Sequence, residues 1–378
     1  MNRYIKDGIA SDLADRMVFV GGPRQVGKTT LALSLLDPHQ DESTPAYLNW
    51  DVLADREEIL AERLPAGQPR IIFDEIHKYA RWRNMIKGLY DKNKSSISFI
   101  VTGSARLDYY RKGGDSLQGR YHYYRLHPFS VMECGSTPDA ALVEQLLKFG
   151  GFPEPFLRGE TRFYRRWLRE QSARVLYEDL RDLENVREVS MLDLLLAHLP
   201  GCVGSPLSVN SLSKLLQVAH ETVAHWIEIF ERLYLCYRIP PFGAKGIRAV
   251  RKEQKLYFWD WSRVEDRGNR FENMVASHLL KYCHFVEDTE GHAMELRFIR
   301  DTDKREVDFV VLRDGRAEFA VECKSGEKSA APAGKYFRER TDIPAFYQVH
   351  LGTKDFGDAA TGTRVLPFYT FCRELGLP

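Results

Sequence analysis

Nine consecutive residues near the amino terminus have the types and spacing that bind phosphate. They fit the pattern G-x-x-x-x-G-K-[ST], in which glycines let backbone N–H groups close around phosphate and the lysine reaches the β- and γ-phosphates. An apolar run at 17–20 precedes them and a helical pattern at 31–36 follows, which is the strand–loop–helix context that the motif requires. We therefore predict binding of ATP and Mg²⁺, with the Thr29 hydroxyl as a metal ligand. The candidate nucleotide-binding residues are Gly22, Pro23, Arg24, Gln25, Val26, Gly27, Lys28, Thr29 and Thr30.

Two further apolar strands end in polar side chains that suit the same chemistry. The strand at 70–74 ends at Asp74 and Glu75, and the strand at 99–102 leads to Thr102 and Ser104. Parallel strands deliver the residues at their carboxyl ends to a common ligand crevice. We expect Asp74 to hold Mg²⁺ directly or through water, Glu75 to orient the attacking water, and Thr102 or Ser104 to sense the γ-phosphate. The competing interpretation is an acidic turn and ordinary turn-forming hydroxyls.

The ordered set of motifs resembles prokaryotic AAA-type ATPases that carry a C-terminal domain of unknown function. The matching segments span nearly the whole chain and include 22–30, 73–78, 101–107, 117–120, 126–133, 150–153, 271–272, 306–309 and 321–324. The resemblance implies an α/β fold with a P-loop AAA+ parallel sheet, and nucleotide hydrolysis coupled to a task that it does not define.

An arginine from a neighbouring subunit usually completes the site of such ATPases and stabilises charge as the phosphate leaves. Arg120 is the best candidate here, and Arg106 and Arg111 compete with it. The alternative is a solvated surface arginine. If Arg120 acts in this way, the protein is a homo-oligomer, with a hexamer as one candidate state.

A second group of charged residues lies in the last third of the chain. Strands bearing D…E-x-K are the signature of the PD-(D/E)xK nuclease fold, and residues two apart in a strand point to the same side. Asp308 and Glu322 are candidate Mg²⁺ ligands, Lys324 a candidate for orienting water, and Glu272 an assisting helical residue. The alternative is a binding scaffold in which Lys324 only forms a salt bridge, and this outcome is the one we expect for cleavage.

The segment 207–267 predicts a winged helix, with helices at 209–216 and 222–233 and strands at 234–239 and 255–259. Thr222 is the predicted N-cap of the second helix. The candidate DNA-phosphate contacts lie at the tip between the strands, namely Lys245, Arg248, Arg251 and Lys252. Because the second helix carries three glutamates, a solvated tip on a protein-packing module is the alternative.

Composition and the segments rich in turn-forming residues divide the chain of 378 residues into four predicted domains. These are an ATP-binding core at 1–135, a helical lid at 136–206, the winged helix at 207–267 and the nuclease-like α/β domain at 268–378. Within the lid, the two prolines of 152–156 predict a loop.

The side chains of 54 basic and 53 acidic residues nearly cancel, so net charge neither requires nor excludes a nucleic-acid partner. No apolar run approaches the length of a membrane span, no signal-peptide core is evident, and six scattered cysteines form no C-x-x-C pair. We therefore expect a cytoplasmic protein without a membrane partner.

Three function classes remain open. The first is an oligomeric ATPase that binds or remodels DNA. The second is a nucleotide-controlled protein-interaction switch with no nucleic-acid role. The third is an ATP-regulated, metal-dependent nuclease.

Overall fold

The computed structural model describes residues 2–36, 40–103, 117–135, 137–179, 189–243, 253–326 and 329–378. The chain forms two compact units. One comprises 1–127 with 232–234, and the other comprises 128–231 with 235–378.

The first unit is built on a parallel sheet of five strands. Their sequence order is β1 (Met17–Gly21), β2 (Tyr47–Asn49), β3 (Arg70–Asp74), β4 (Ser98–Thr102) and β5 (Tyr121–Arg125). In space they follow the order β2-β3-β4-β1-β5, and every neighbouring pair is parallel. The strands are almost wholly apolar and buried, as expected for a sheet covered on both faces.

The pairing register of the strands brings the carboxyl ends of four strands together. Val20 of β1 pairs with Thr102 of β4, and Thr102 pairs with Asp74 of β3. Asn49 at the end of β2 pairs with Asp74 on its other side. One edge of the sheet therefore carries the loop predicted to bind phosphate, the acidic strand end and the hydroxyl-bearing strand end.

Among the described residues of the first unit, the helices are α1 (Lys6–Asp12), α2 (Lys28–Leu33), α3 (Leu53–Leu60) and α4 (Trp82–Asn93). The α4 helix buries Trp82, Ile86 and Leu89 in the same apolar cluster as Phe73 and Phe99. This packing fixes β3 and β4, and with them the residues at their ends.

The second unit begins with a helical segment. Its helices are α5 (Val131–Cys134), α6 (Ala140–Phe149), α7 (Pro153–Arg158), α8 (Thr161–Arg174) and α9 (Val189–His198). The predicted loop at 152–156 is wrong, because α7 starts at Pro153. The first N–H groups of a helix have no intrahelical acceptor, so Pro153 and Pro155 are tolerated in the first turn.

The next segment contains two helices and a hairpin. It comprises α10 (Val209–Leu216), α11 (His220–Arg232), β6 (Cys236–Ile239) and β7 (Lys255–Phe258), with the two strands antiparallel. Because α11 begins at His220, Thr222 lies inside the helix and is not its N-cap. The winged-helix assignment stays a prediction, and the tip at 244–252 lies outside the described residues.

The last segment is a mixed sheet with helices. The long helix α12 (Arg267–Glu290) precedes β8 (Met294–Arg300), β9 (Glu306–Arg313), β10 (Arg316–Lys324), α13 (Pro332–Arg338), β11 (Phe346–His350), β12 (Arg364–Pro367) and α14 (Phe368–Glu374). The spatial order is β12-β11-β10-β9-β8, with β8, β9 and β10 antiparallel and β10, β11 and β12 parallel. Cluster residues such as Ile299, Val310 and Phe346 form a core on this sheet.

A helix long and apolar enough to cross a bilayer does not occur among the described residues. The boundary between the two compact units lies after His127, eight residues before the predicted end of the ATP-binding core at 135. The three predicted domains that follow that core all fall mainly within the second unit, and their division stays a prediction.

Candidate functional site

The phosphate-binding loop joins β1 to α2, and its backbone requires glycine. Gly22 has φ of +148°, and an added Cβ would collide with the carbonyl oxygen of Leu126. Gly27 has φ of +95°, in a region that favours glycine, and it immediately precedes α2. The Lys28 ammonium donates to the carbonyl oxygens of Gly22 at 3.0 Å and Pro23 at 2.8 Å. The lysine head therefore lies inside the loop.

The Asp74 carboxylate is the point where three strands and the loop meet. Its Oδ2 accepts hydrogen bonds from the Thr29 hydroxyl and the Tyr47 hydroxyl, each at 2.8 Å. Its Oδ1 accepts one from the Thr102 hydroxyl at 2.5 Å. Asp74 is 5% exposed and Thr102 is fully buried. Thr102 thus orients Asp74, and its predicted contact with the γ-phosphate stays a prediction.

Glu75 follows β3 with a backbone in the left-handed region, at φ of +56°. Such a conformation in a residue other than glycine costs about 1–2 kcal/mol and is typical of functional sites. Its N–H donates to the Thr102 carbonyl at 3.1 Å, which fixes the turn. Its carboxylate lies 3.6 Å from His77 Nε2 and 3.7 Å from Lys78 Nζ. Burial raises the pKa of Glu75, and the nearby Lys28 ammonium opposes that rise.

Two residues that support the site were missed by the sequence analysis. Tyr47 shares Asp74 with Thr29, and burial together with the Asp74 charge raises the pKa of its hydroxyl above its usual range. Arg3 is 8% exposed and donates to the Val26 carbonyl at 2.8 Å, which braces the loop from the amino terminus. Nothing in the spacing of either residue indicates the partner, because both contacts join residues more than twenty positions apart.

The remaining loop residues differ in exposure. Pro23 and Val26 are buried, Arg24, Gln25 and Thr29 are partly buried, and Thr30 is exposed. The Gln25 side-chain oxygen is buried without a hydrogen-bond partner in the described part of the chain. Ser104 and the competing arginines Arg106 and Arg111 lie outside the described residues.

Arg120 lies immediately before β5 and pairs with the Asp91 carboxylate, at 2.8 and 3.1 Å. The pairing of Met17 with Tyr121 places it at the amino ends of β1 and β5, whereas the loop follows the carboxyl end of β1. Five strand residues separate these ends, which is roughly 16 Å. Arg120 therefore lies away from the nucleotide site of its own chain.

The second group of predicted site residues converges in the second unit. Glu272 of α12 and Asp308 of β9 both contact Lys255 Nζ, at 3.0 and 3.4 Å. The N–H of Cys323 donates to Asp308 at 2.8 Å, and on either side of Cys323 in the chain Lys324 pairs with Glu322. Lys255, the first residue of β7, was missed because only the fold brings this lysine to α12 and β9.

Burial perturbs the carboxyl groups of this cluster. Burial and then the Asp308 charge raise the pKa of Glu272 to about 7 and that of Glu322 to about 8. Glu322 Oε2 is buried without a hydrogen-bond partner in the described ranges. The four predicted DNA contacts, Lys245, Arg248, Arg251 and Lys252, lie outside those ranges.

The fold and the loop geometry define a P-loop nucleotide-binding unit, and comparison with known families agrees. Residues 14–135 match the family described as AAA domain, which supports an AAA-type ATPase in this part of the chain. Residues 140–264 and 267–371 match two domains of unknown function, DUF8612 and DUF4143.

Several proteins are similar over most of the chain. The uncharacterized protein MJ1544 of Methanocaldococcus jannaschii is 22% identical over 80% of this chain and 74% of its own length. MJ1637 of the same organism is 23% identical over 83% of this chain and 76% of its own. Among solved structures, the RuvB Holliday junction branch migration motor of Thermotoga maritima covers 62% of this chain and 87% of its own, with 17% identity and a TM-score of 0.33.

Proposed function

We propose that this protein hydrolyses ATP in a Mg²⁺-dependent reaction at the edge of the five-stranded sheet. The observation that carries the proposal is the hydrogen bond between Thr29, in the first turn of α2, and Asp74 of β3. In P-loop ATPases a hydroxyl and a carboxylate so placed hold the metal that bridges the β- and γ-phosphates. A glycine-rich turn that arose by chance would not be expected to place a hydroxyl and a strand-end carboxylate in contact in this way.

The donor set suits Mg²⁺, which prefers a few oxygen ligands together with substrate phosphates. Thr29 and Asp74 are the residues that would hold it. When bound, the ion would neutralise charge that develops on the phosphates. Thr102 and Tyr47 keep the Asp74 carboxylate in one orientation, and they act as positioning residues.

Glu75 is the proposed group that orients the attacking water. It follows Asp74 in the chain, and its carboxylate feels the charges of Lys28 and Asp74. Lys28 supplies positive charge toward the β- and γ-phosphates while the loop N–H groups close around them. Together these groups provide electrostatic stabilisation and positioning, which are the main contributions to phosphoryl transfer.

A direct test is ATP hydrolysis and ATP binding by the purified full chain. Lys28→Ala should abolish or greatly weaken ATP binding, because it removes the phosphate-facing charge. Lys92→Ala, the same change at an exposed position, is the matched control and should bind normally. Full ATP binding by Lys28→Ala would reject the proposed site.

Assembly into a homo-oligomer follows from the same proposal. Arg120 lies at the end of β1 and β5 opposite the loop, so it can reach phosphate only at the site of another copy. Its pair with Asp91 is partly exposed and therefore costs little to break.

Coupling to DNA is the second part of the proposal, and a surface of α8 favours it over a switch that touches no nucleic acid. Four exposed arginines follow the spacing i, i+3, i+4, i+7 and so share one face, namely Arg162, Arg165, Arg166 and Arg169. The opposite face buries Trp167 and Gln171. None of the four guanidinium groups forms an ion pair within the described ranges. This arginine face fits a row of phosphates.

The DNA proposal is tested by measuring duplex binding against salt concentration. Changing all four arginines of this face to Gln should weaken binding and lower the salt slope by about 3–4, because each lost phosphate contact removes about 0.9. The control changes Arg63, Arg267, Arg305 and Arg340, which are dispersed and salt-bridged, to Gln. Equal loss in both variants, or no DNA binding by the wild type, would reject this part of the proposal.

A further inference from the structure

Lys255 is the centre of the acidic cluster in the second unit. Its side chain is fully buried, and its Nζ lies 3.0 Å from Glu272 Oε1 and 3.4 Å from Asp308 Oδ1. It also contacts Glu306 Oε1. A lysine ammonium has three N–H donors and no acceptor, so these three carboxylates use its full capacity.

Further donors engage the same carboxylates. The Tyr257 hydroxyl also donates to Glu272 Oε1, at 2.7 Å, and Arg300 donates to Glu306 Oε2 at 2.7 Å. Asp308 Oδ2 accepts from the Cys323 N–H at 2.8 Å. The cluster is therefore a hydrogen-bonded network in which the fold supplies the compensating charge.

A divalent metal in the same cleft would need these carboxylate oxygens for itself. Mg²⁺ takes oxygen ligands at about 2.0–2.1 Å in near-octahedral geometry, which an ammonium among the same oxygens prevents. No group of three or more His, Cys, Asp or Glu residues is arranged to hold a metal ion in the part of the chain that the structure describes. The residues thus do not fit the metal that the D…E-x-K signature implies.

We propose that Lys255 is the resident cation of this cleft and that the native protein binds no catalytic metal ion there. The D…E-x-K residues then serve an internal salt-bridge network instead of a nuclease centre. Removing one partner from a buried ionic network leaves uncompensated charge and is strongly destabilising. The network therefore also holds the β6–β7 hairpin against α12 and β9.

A backbone contact beside the cluster supports this fastening role. The N–H of Phe242, just after β6, donates to the carbonyl of Phe298 in β8 at 2.6 Å. Phe298 is fully buried, with its ring 5.7 Å from Lys255 Nζ. The hairpin is thus tied to the mixed sheet both through its backbone and through the Lys255 cation.

The test is a Mn²⁺ titration of the nucleotide-free full chain, followed by electron paramagnetic resonance. The wild type should have no Mn²⁺ site that is absent from Asp308→Asn. Lys255→Met should gain one Mn²⁺ site at least about tenfold tighter than any in the wild type, because it frees three carboxylates. Its melting temperature should be lower and should rise selectively with Mn²⁺. Lys335→Met, the same change at an exposed site, should behave as the wild type.

One Mn²⁺ site in the wild type that disappears in Asp308→Asn would overturn the proposal. So would a folded Lys255→Met protein that neither gains a site nor loses stability. If Lys255→Met does not fold, the comparison of wild type with Asp308→Asn decides. If neither variant folds, the test compares the wild type with a change at the ATP site such as Thr29→Val. A Mn²⁺ site that remains after this change contradicts the proposal.

Discussion

At the scale of single residues, Asp74 and Glu75 show how two adjacent carboxylates receive different environments. Asp74 ends the strand and accepts three hydroxyl hydrogen bonds, whereas Glu75 turns away in a left-handed conformation beside His77 and Lys78. Hydrogen bonds from hydroxyls stabilise a charged carboxylate, and burial without such donors destabilises it. The two residues are therefore suited to different roles, metal binding and water orientation.

The raised pKa of Glu75 predicts the pH dependence of hydrolysis. The proposed role requires the ionised carboxylate, so activity is present above the pKa of Glu75 and is lost as pH falls through it. Because burial raises that pKa, the acid limb of kcat/KM should lie above the ordinary glutamate value of 4.5. Measuring ATP binding over the same pH range distinguishes loss of hydrolysis from loss of ATP binding. An acid limb at or below 4.5 would contradict the assignment.

The candidate residues of the proposed nucleotide site could be chosen from the sequence, whereas the residues that support them could not. Lys28, Thr29, Asp74 and Glu75 follow local patterns at strand ends. Arg3, Tyr47 and Lys255 act through partners that only strand order and register bring near. No spacing in the chain encodes those contacts.

At the scale of elements, the apolar strands were predictable because buried parallel strands form continuous apolar runs. The predicted loop at 152–156 was wrong because both prolines lie in the first turn of α7, where proline removes no intrahelical hydrogen bond. Tertiary contacts decide the lengths of other elements. The helix predicted around Glu272, for example, extends to 24 residues at 267–290.

The junction between β1 and the loop carries a prediction of its own. Gly22→Ala should lower the melting temperature and weaken ATP binding at least about tenfold, because its Cβ would displace the Leu126 backbone and distort the loop. Gly67→Ala is the matched control, since Gly67 also has positive φ but open space around it. Gly67→Ala should lower the free energy of unfolding by about 1 kcal/mol and leave ATP binding intact. Identical behaviour of the two variants would show that the close approach at Leu126 does not matter.

At the scale of the whole molecule, the groups that the proposed reaction uses do not all lie at one site of a single chain. Arg120 lies at the opposite end of its strand from the loop, so its action requires a second copy. The resemblance to AAA-type ATPases implies an arginine of this kind, contributed by a neighbouring subunit.

Action in trans predicts complementation between two inactive variants. Arg120→Ala should bind ATP normally and hydrolyse it at least about 100-fold more slowly, because an arginine finger contributes that much or more. Mixed with Lys28→Ala, it should regain activity, since the Lys28→Ala subunits still supply Arg120. Asp91→Asn serves as control, and it should retain activity because it removes only the salt bridge. No recovery in the mixture, or equal loss in Asp91→Asn, would exclude Arg120 as the finger.

The most direct test of ATP hydrolysis at this sheet edge is to separate binding from turnover with Glu75→Gln. This change keeps the shape of the side chain and removes the charge that orients water. The variant should bind ATP within about threefold of the wild type and hydrolyse it at least about 100-fold more slowly in a single-turnover measurement with Mg²⁺. Hydrolysis by Glu75→Gln at the wild-type rate would contradict the proposed site.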